Sequence, residues 1–68
     1  MGDKVYKKID VVGCSSKSIE DAVTNAVAKA SETLHGLSWF EVTEVRGAIK
    51  DDKPSEWQVS LSLGLRGD

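Results

Sequence analysis

Sulfur and imidazole are nearly missing from this chain: its 68 residues include one cysteine, Cys14, and one histidine, His35. A single Cys excludes an internal disulfide, and one Cys with one His cannot fill a tetrahedral protein metal site. Clustered positive charge is missing too. Nine Lys and Arg are scattered among eleven Asp and Glu, for a net charge of −2, which leaves no electrostatic footprint for nucleic acid. No apolar run approaches the roughly 18 to 20 residues that span a bilayer, and the first residues lack the charged, apolar and small-residue zones of a signal peptide. The expectation is a cytoplasmic protein with no nucleic-acid or membrane partner, and a free thiol fits a reducing compartment.

Size imposes the next constraint. Residues 1–68 make one domain, and a chain this short buries only roughly 60% of its unfolded surface. Small chains of this kind draw extra stability from disulfides, a metal or oligomerisation. With an internal disulfide and a tetrahedral Cys/His site excluded by composition, self-association is the expected stabiliser.

Four elements are legible. Lys4–Gly13 is rich in β-branched and aromatic residues and ends at Gly, as a strand does. A polar turn follows, in which Ser18 three residues before Asp21 resembles a capping box, with Ser16 as the rival cap. Apolar residues then fall at Ile19, Ala22, Val23, Ala26, Val27, Ala30 and Leu34, the spacing of an amphipathic helix over about four turns. Gly36 is expected to end it as the residue after the C-cap. Leu37–Ile49 forms a long strand. Glu56–Arg66 forms another, with Trp57, Val59, Leu61, Leu63 and Leu65 on one face and Gln58, Ser60, Ser62 and Arg66 on the other. Lys50–Ser55, containing the single proline Pro54, connects the last two strands as a hairpin. The fold class is α+β: a β-α-β-β chain forming a three-stranded antiparallel sheet wrapped around one amphipathic helix. One helix covers only part of such a sheet, which again points to another subunit.

In a regularly pleated strand Trp39 shares the polar face with Glu41 and Thr43, while Phe40 and Val42 point to the core. Trp39 and Gln58 then stand on the same face, an aromatic plane and an amide suited to a planar heteroaromatic ligand. The competing reading is that Trp39 packs in a subunit interface and Gln58 is solvated. Trp57 belongs to the apolar row and is expected in the core. Cys14 has no His partner for nucleophilic catalysis, because His35 lies at the far end of the helix. Glu41 and Glu44, at unequal parity, are expected on opposite faces and not as an acid/base pair. Arg46 and Arg66 are separate cations on the two long strands.

These residues together resemble the dodecin family of small flavin-binding proteins. The likeness runs through Val5-Tyr6-Lys7, Gly13-x-Ser15, Ala22-Val23-x-Asn25-Ala26-Val27-x-Lys29-Ala30, Trp39-Phe40-Glu41-Val42, Val45-Arg46-Gly47 and Trp57-Gln58-Val59. It implies a homo-oligomer, a hollow dodecamer with flavin pockets between subunits. Trp39 would stack on the isoalloxazine ring, with its symmetry mate sandwiching a flavin pair, and Gln58 would bond the pyrimidine edge. Arg46 and Arg66 resemble basic positions near the phosphate of FMN. Arg46 has the parity of Phe40 in an unbroken strand, so reaching that face requires a bulge near Val45-Arg46-Gly47. The implied cofactor is a flavin, FMN first, with riboflavin or FAD as alternatives and coenzyme A as a further ligand. The implied role is flavin storage and protection against flavin photochemistry, not enzymatic turnover. The alternatives are a small flavin-dependent oxidoreductase subunit and a structural assembly protein without ligand.

Overall fold

The computed structural model describes residues 3–67. Strand β1 (Tyr6–Ser15) leads to helix α1 (Ile19–Ser31), followed by strands β2 (Leu37–Lys50) and β3 (Lys53–Arg66). They build an antiparallel sheet of order β1-β3-β2, so the most regularly alternating strand is central, as expected.

Ser18 caps α1, its hydroxyl accepting from the Asp21 backbone N–H at 3.0 Å. Asp21 accepts from the Ser15 hydroxyl at 2.6 Å, and the Asn25 amide donates to the Cys14 carbonyl at 3.0 Å, so the first turns of α1 are latched to the end of β1. The helix ends sooner than its apolar spacing predicts, with Glu32 as C-cap. Gly36 is not the terminator. It adopts a left-handed φ of 82° and its carbonyl accepts from the Arg66 N–H at 2.9 Å, which ties the entry of β2 to the end of β3.

The helix sits over β1 and β3. Ala22 and Ala26 are buried against Val59, Leu61 and Leu63, and a Cβ on Gly13 would lie 2.8 Å from the Ala26 methyl. Small residues on both sides allow this close approach. Leu37 at the start of β2 packs against this core, but the core-side residues after it stay largely exposed: Phe40 is 53% exposed, Val45 47% and Ile49 77%. Trp57, expected in the core, is half-buried and stands outside the buried cluster. It lies opposite Gly47 and Ser15, before the part of β3 that α1 covers.

The hairpin is tighter than expected. Lys50 pairs with Lys53, leaving only Asp51 (φ 53°) and Asp52 (φ 64°) as its loop. Two consecutive positive φ values define the mirror-image turn that matches strand twist, and Asp tolerates that conformation. Pro54 lies within β3 because β1 does not extend alongside it; the β1 pairing begins at Trp57. The protruding ribbon stretches the molecule to 57 × 21 × 14 Å. Its radius of gyration is 14.2 Å, against about 11 Å for a compact domain of this length. Its accessible surface is 5011 Å², against about 4,200 Å² for a compact monomer of this mass.

Two substitutions test this packing by chemical denaturation. Gly13→Ala pushes a methyl into the helix and should destabilise by about 1–3 kcal/mol. Leu61→Ala empties the middle of the core and should cost about 2–5 kcal/mol.

Candidate functional site

The face of the sheet away from α1 is open, and three irregularities decide which side chains reach it. The pairing of β2 with β3 slips between Leu37 and Trp39, between Val42 and Glu44, and between Ala48 and Ile49. The extra residues are Ser38, Thr43 and Ser55. Two of them bond back to the ladder, Thr43 to the Ser60 carbonyl at 3.1 Å and Ser55 to the Ala48 carbonyl at 3.3 Å. An inserted residue reverses the side-chain parity of everything after it.

Thr43 is therefore the pivot. Before it, Trp39 and Glu41 lie on the open face opposite Gly64 and Ser62; after it, Glu44 and Arg46 lie there opposite Ser60 and Gln58. Arg46 does reach the open face, but through a bulge at Thr43 and not at Val45-Arg46-Gly47. The signal was in the apolar spacing, which steps by two from Phe40 to Val42 and by three to Val45. Glu41 and Glu44 consequently share a face, contrary to the expectation from unbroken alternation. Glu44 is held by Arg46 at 2.6 Å.

At one end of the open face, the Trp39 ring lies over Gly64. A Cβ on that glycine would fall among the atoms Cδ2, Cε2 and Cζ2 of the indole. The ring centroid of Tyr6 is 5.9 Å from that of Trp39, with the planes inclined at 57°. Trp39 remains 38% exposed. Arg66 stands at this end, opposite Tyr6 across the β1-β3 ladder.

At the other end Gln58 is flanked by Cys14 on β1 and Arg46 on β2. Its Nε2 donates to Glu56 at 2.9 Å, and Arg46 donates to the Ser60 hydroxyl at 3.3 Å as well as to Glu44. Between the two ends, the buried Ser62 hydroxyl donates to Asp10 at 2.6 Å.

Trp39 and Gln58 thus share a face without being neighbours. Gly64 and Gln58 are six residues apart on β3, or about 20 Å at the rise of a strand. One ring cannot touch both on one chain. The structure groups Trp39 with Tyr6, Gly64 and Arg66, and Gln58 with Arg46, Glu44 and Glu56. Sequence reasoning missed Gly64, whose signal was a lone glycine on the polar parity of a strand, a mark of close approach. It also missed Tyr6, because two residues that touch across an intervening strand carry no sequence spacing. His35 follows the far end of α1, distant in the fold from the thiol of Cys14 at its start.

Among the described residues no three His, Cys, Asp or Glu side chains converge as a metal site, and no helix is long and apolar enough to cross a membrane.

The sequence profile of the dodecin family matches residues 5–68. The dodecin of Thermus thermophilus is 48% identical over 63 residues, spanning 93% of this chain and 91% of the relative. The structure of dodecin from Streptomyces coelicolor superposes with a TM-score of 0.93 at 48% identity, covering 100% of this chain and 97% of the other. That of Streptomyces davaonensis dodecin gives 0.92 at 42% identity, with 98% of each chain covered. With a matching profile over nearly its whole length, the same β-α-β-β order and this degree of identity, the chain belongs to the dodecin family.

Proposed function

We propose that this dodecin binds and stores flavin in a homo-oligomer, a hollow dodecamer on the family resemblance, and shields the flavin from light-driven chemistry. The observation that carries the reading is the Trp39 indole: one side rests on Gly64 while the ring stays 38% exposed on a face with no core to fill. An aromatic plane so placed suits a flat heteroaromatic ring, and a symmetry-related copy would supply the opposite wall. Because Trp39 and Gln58 of one chain are about 20 Å apart along β3, the two serve one ligand only when different subunits contribute them.

Self-association has independent physical support. Phe40, Val42, Val45 and Ile49 form an exposed apolar row on a strand with a free edge, and such rows are normally covered. The surface in excess of a compact monomer is about 800 Å², the area one partner contributes to a standard interface.

In this reading Gln58 offers its carbonyl Oε1 to a ring N–H of the flavin, its Nε2 being held by Glu56. Arg46 and Arg66 supply positive charge for a phosphate, which favours FMN over riboflavin; FAD and coenzyme A are further phosphate-bearing ligands. Arg46 reaches a phosphate only by loosening from Glu44, an exposed pair of the kind worth about 0–1 kcal/mol. In this reading the role is storage and not turnover, Glu44 being engaged in an ion pair with Arg46.

Chromatography of the chromophore released by denaturing the purified protein should identify a flavin, and the native protein should sediment as a dodecamer. A monomer that binds none of FMN, riboflavin and FAD would overturn the proposal. Trp39→Ala should weaken flavin binding roughly ten- to hundredfold, from the roughly 1–3 kcal/mol of a base stacked on an aromatic ring, with the oligomer intact. Arg46→Ala and Arg66→Ala should weaken FMN while sparing riboflavin; equal losses for both ligands would remove the arginines from phosphate binding.

A further inference from the structure

Trp39 belongs to β2 and Tyr6 to β1, and β3 runs between them. They are not register partners, since Trp39 stands opposite Gly64 and Tyr6 opposite Arg66. Two edge strands separated by a central one lie roughly 9.5 Å apart, so ring contact at 5.9 Å requires that nothing rise between them. Gly64 meets that requirement. Every other residue of β3 on this face from Gln58 to Arg66 has a side chain, and a Cβ at 64 would occupy the ring itself.

We propose that Gly64 and Tyr6 are positioning residues for Trp39: Gly64 opens a gap across which the indole lies down, and Tyr6 is the stop that sets its tilt. The three residues act as one device assembled from three strands. Without the gap the indole stands up from the sheet; without the stop it can swing off the glycine. The two rings meet tilted at 57°, neither stacked flat nor perpendicular, so Tyr6 abuts the indole without covering it and leaves a ring face open, Trp39 being 38% exposed. That open face admits a planar heteroaromatic ring, and its tilt decides how fully such a ring overlaps the indole. The ligand arm of this proposal rests on the flavin reading above; the ring-positioning arm does not.

The test uses the full-length protein in its native assembly, with Trp57→Phe as background so that Trp39 is the one indole reporter. Acrylamide quenching of Trp39 emission follows the ring without ligand. Tyr6→Leu should raise the quenching constant about twofold or more, and Tyr6→Phe, which keeps the stop, should restore the parent value. Gly64→Ala should move quenching in the same direction as Tyr6→Leu. Residual emission of FMN at saturation then reports stacking separately from affinity: it should rise in Tyr6→Leu and stay low in Tyr6→Phe, whereas mere loss of β1 stability would leave the emission of bound FMN unchanged. Quenching in Tyr6→Leu equal to the parent overturns the proposal whatever FMN does. So does weaker FMN binding with quenching unchanged, which would make Tyr6 a direct ligand contact. If the parent binds none of FMN, riboflavin and FAD, the flavin reading falls and the acrylamide series still decides whether Tyr6 and Gly64 hold the ring.

Discussion

The seating of α1 on β1 and β3 governs the rest of the molecule. Ala22 and Ala26 can descend to the sheet because Gly13 presents no side chain beneath them, and hydrogen bonds from Ser15 to Asp21 and from Asn25 to the Cys14 carbonyl pin the helix there. A helix placed so close to one edge cannot also cover the other. Val59, Leu61 and Leu63 are sealed, while Phe40, Val42 and Val45 on the same side of the sheet are left outside. The chain thus combines a small, closely packed core with an apolar row that its own residues do not cover. Both follow from one contact between small side chains.

The open face is organised by a different constraint, the parity of β2. A regular fourteen-residue strand would direct Arg46 to the helix side, where a guanidinium would meet apolar neighbours at a desolvation cost. The extra residue at Thr43 turns it outward instead, beside Gln58 and Ser60. The Thr43 hydroxyl donates to the Ser60 carbonyl and fastens the bulge to the central strand. The same bulge brings Glu44 to Arg46, so positive charge on this face is moderated within the chain. At the opposite end, Gly64 performs by absence what Thr43 performs by insertion, giving Trp39 room to cross the central strand. Polar and aromatic groups therefore gather at two ends of one face, about 20 Å apart along β3.

Element order, the Ser18 cap and the central position of β3 were legible in the linear pattern, because each depends on periodicity or on residues within one turn of each other. So was the assignment of Trp39 and Gln58 to the open face, which follows from alternation within short segments on either side of the bulge. Their separation was not legible: alternation specifies a face, whereas distance along it depends on pairing register, and register is set jointly by the Asp51-Asp52 turn and the bulges at Ser38, Thr43 and Ser55. Trp57 was misplaced for a related reason. Its parity is that of the core, but burial requires something overhead, and how far α1 extends along β3 is not written in β3.

By itself the sequence determined which segments form strands and helix and which face of each is apolar, since local propensity and side-chain period act over a few neighbouring residues; its likeness to the dodecin family rests instead on the order and spacing of particular residues along residues 5–68. Only the tertiary structure decided that Arg46 turns outward, that Trp39 rests on Gly64 against Tyr6, and that β2 is left uncovered. Those outcomes arise where strands distant in the chain are brought side by side, and a single inserted or missing side chain then reverses a face or opens a gap.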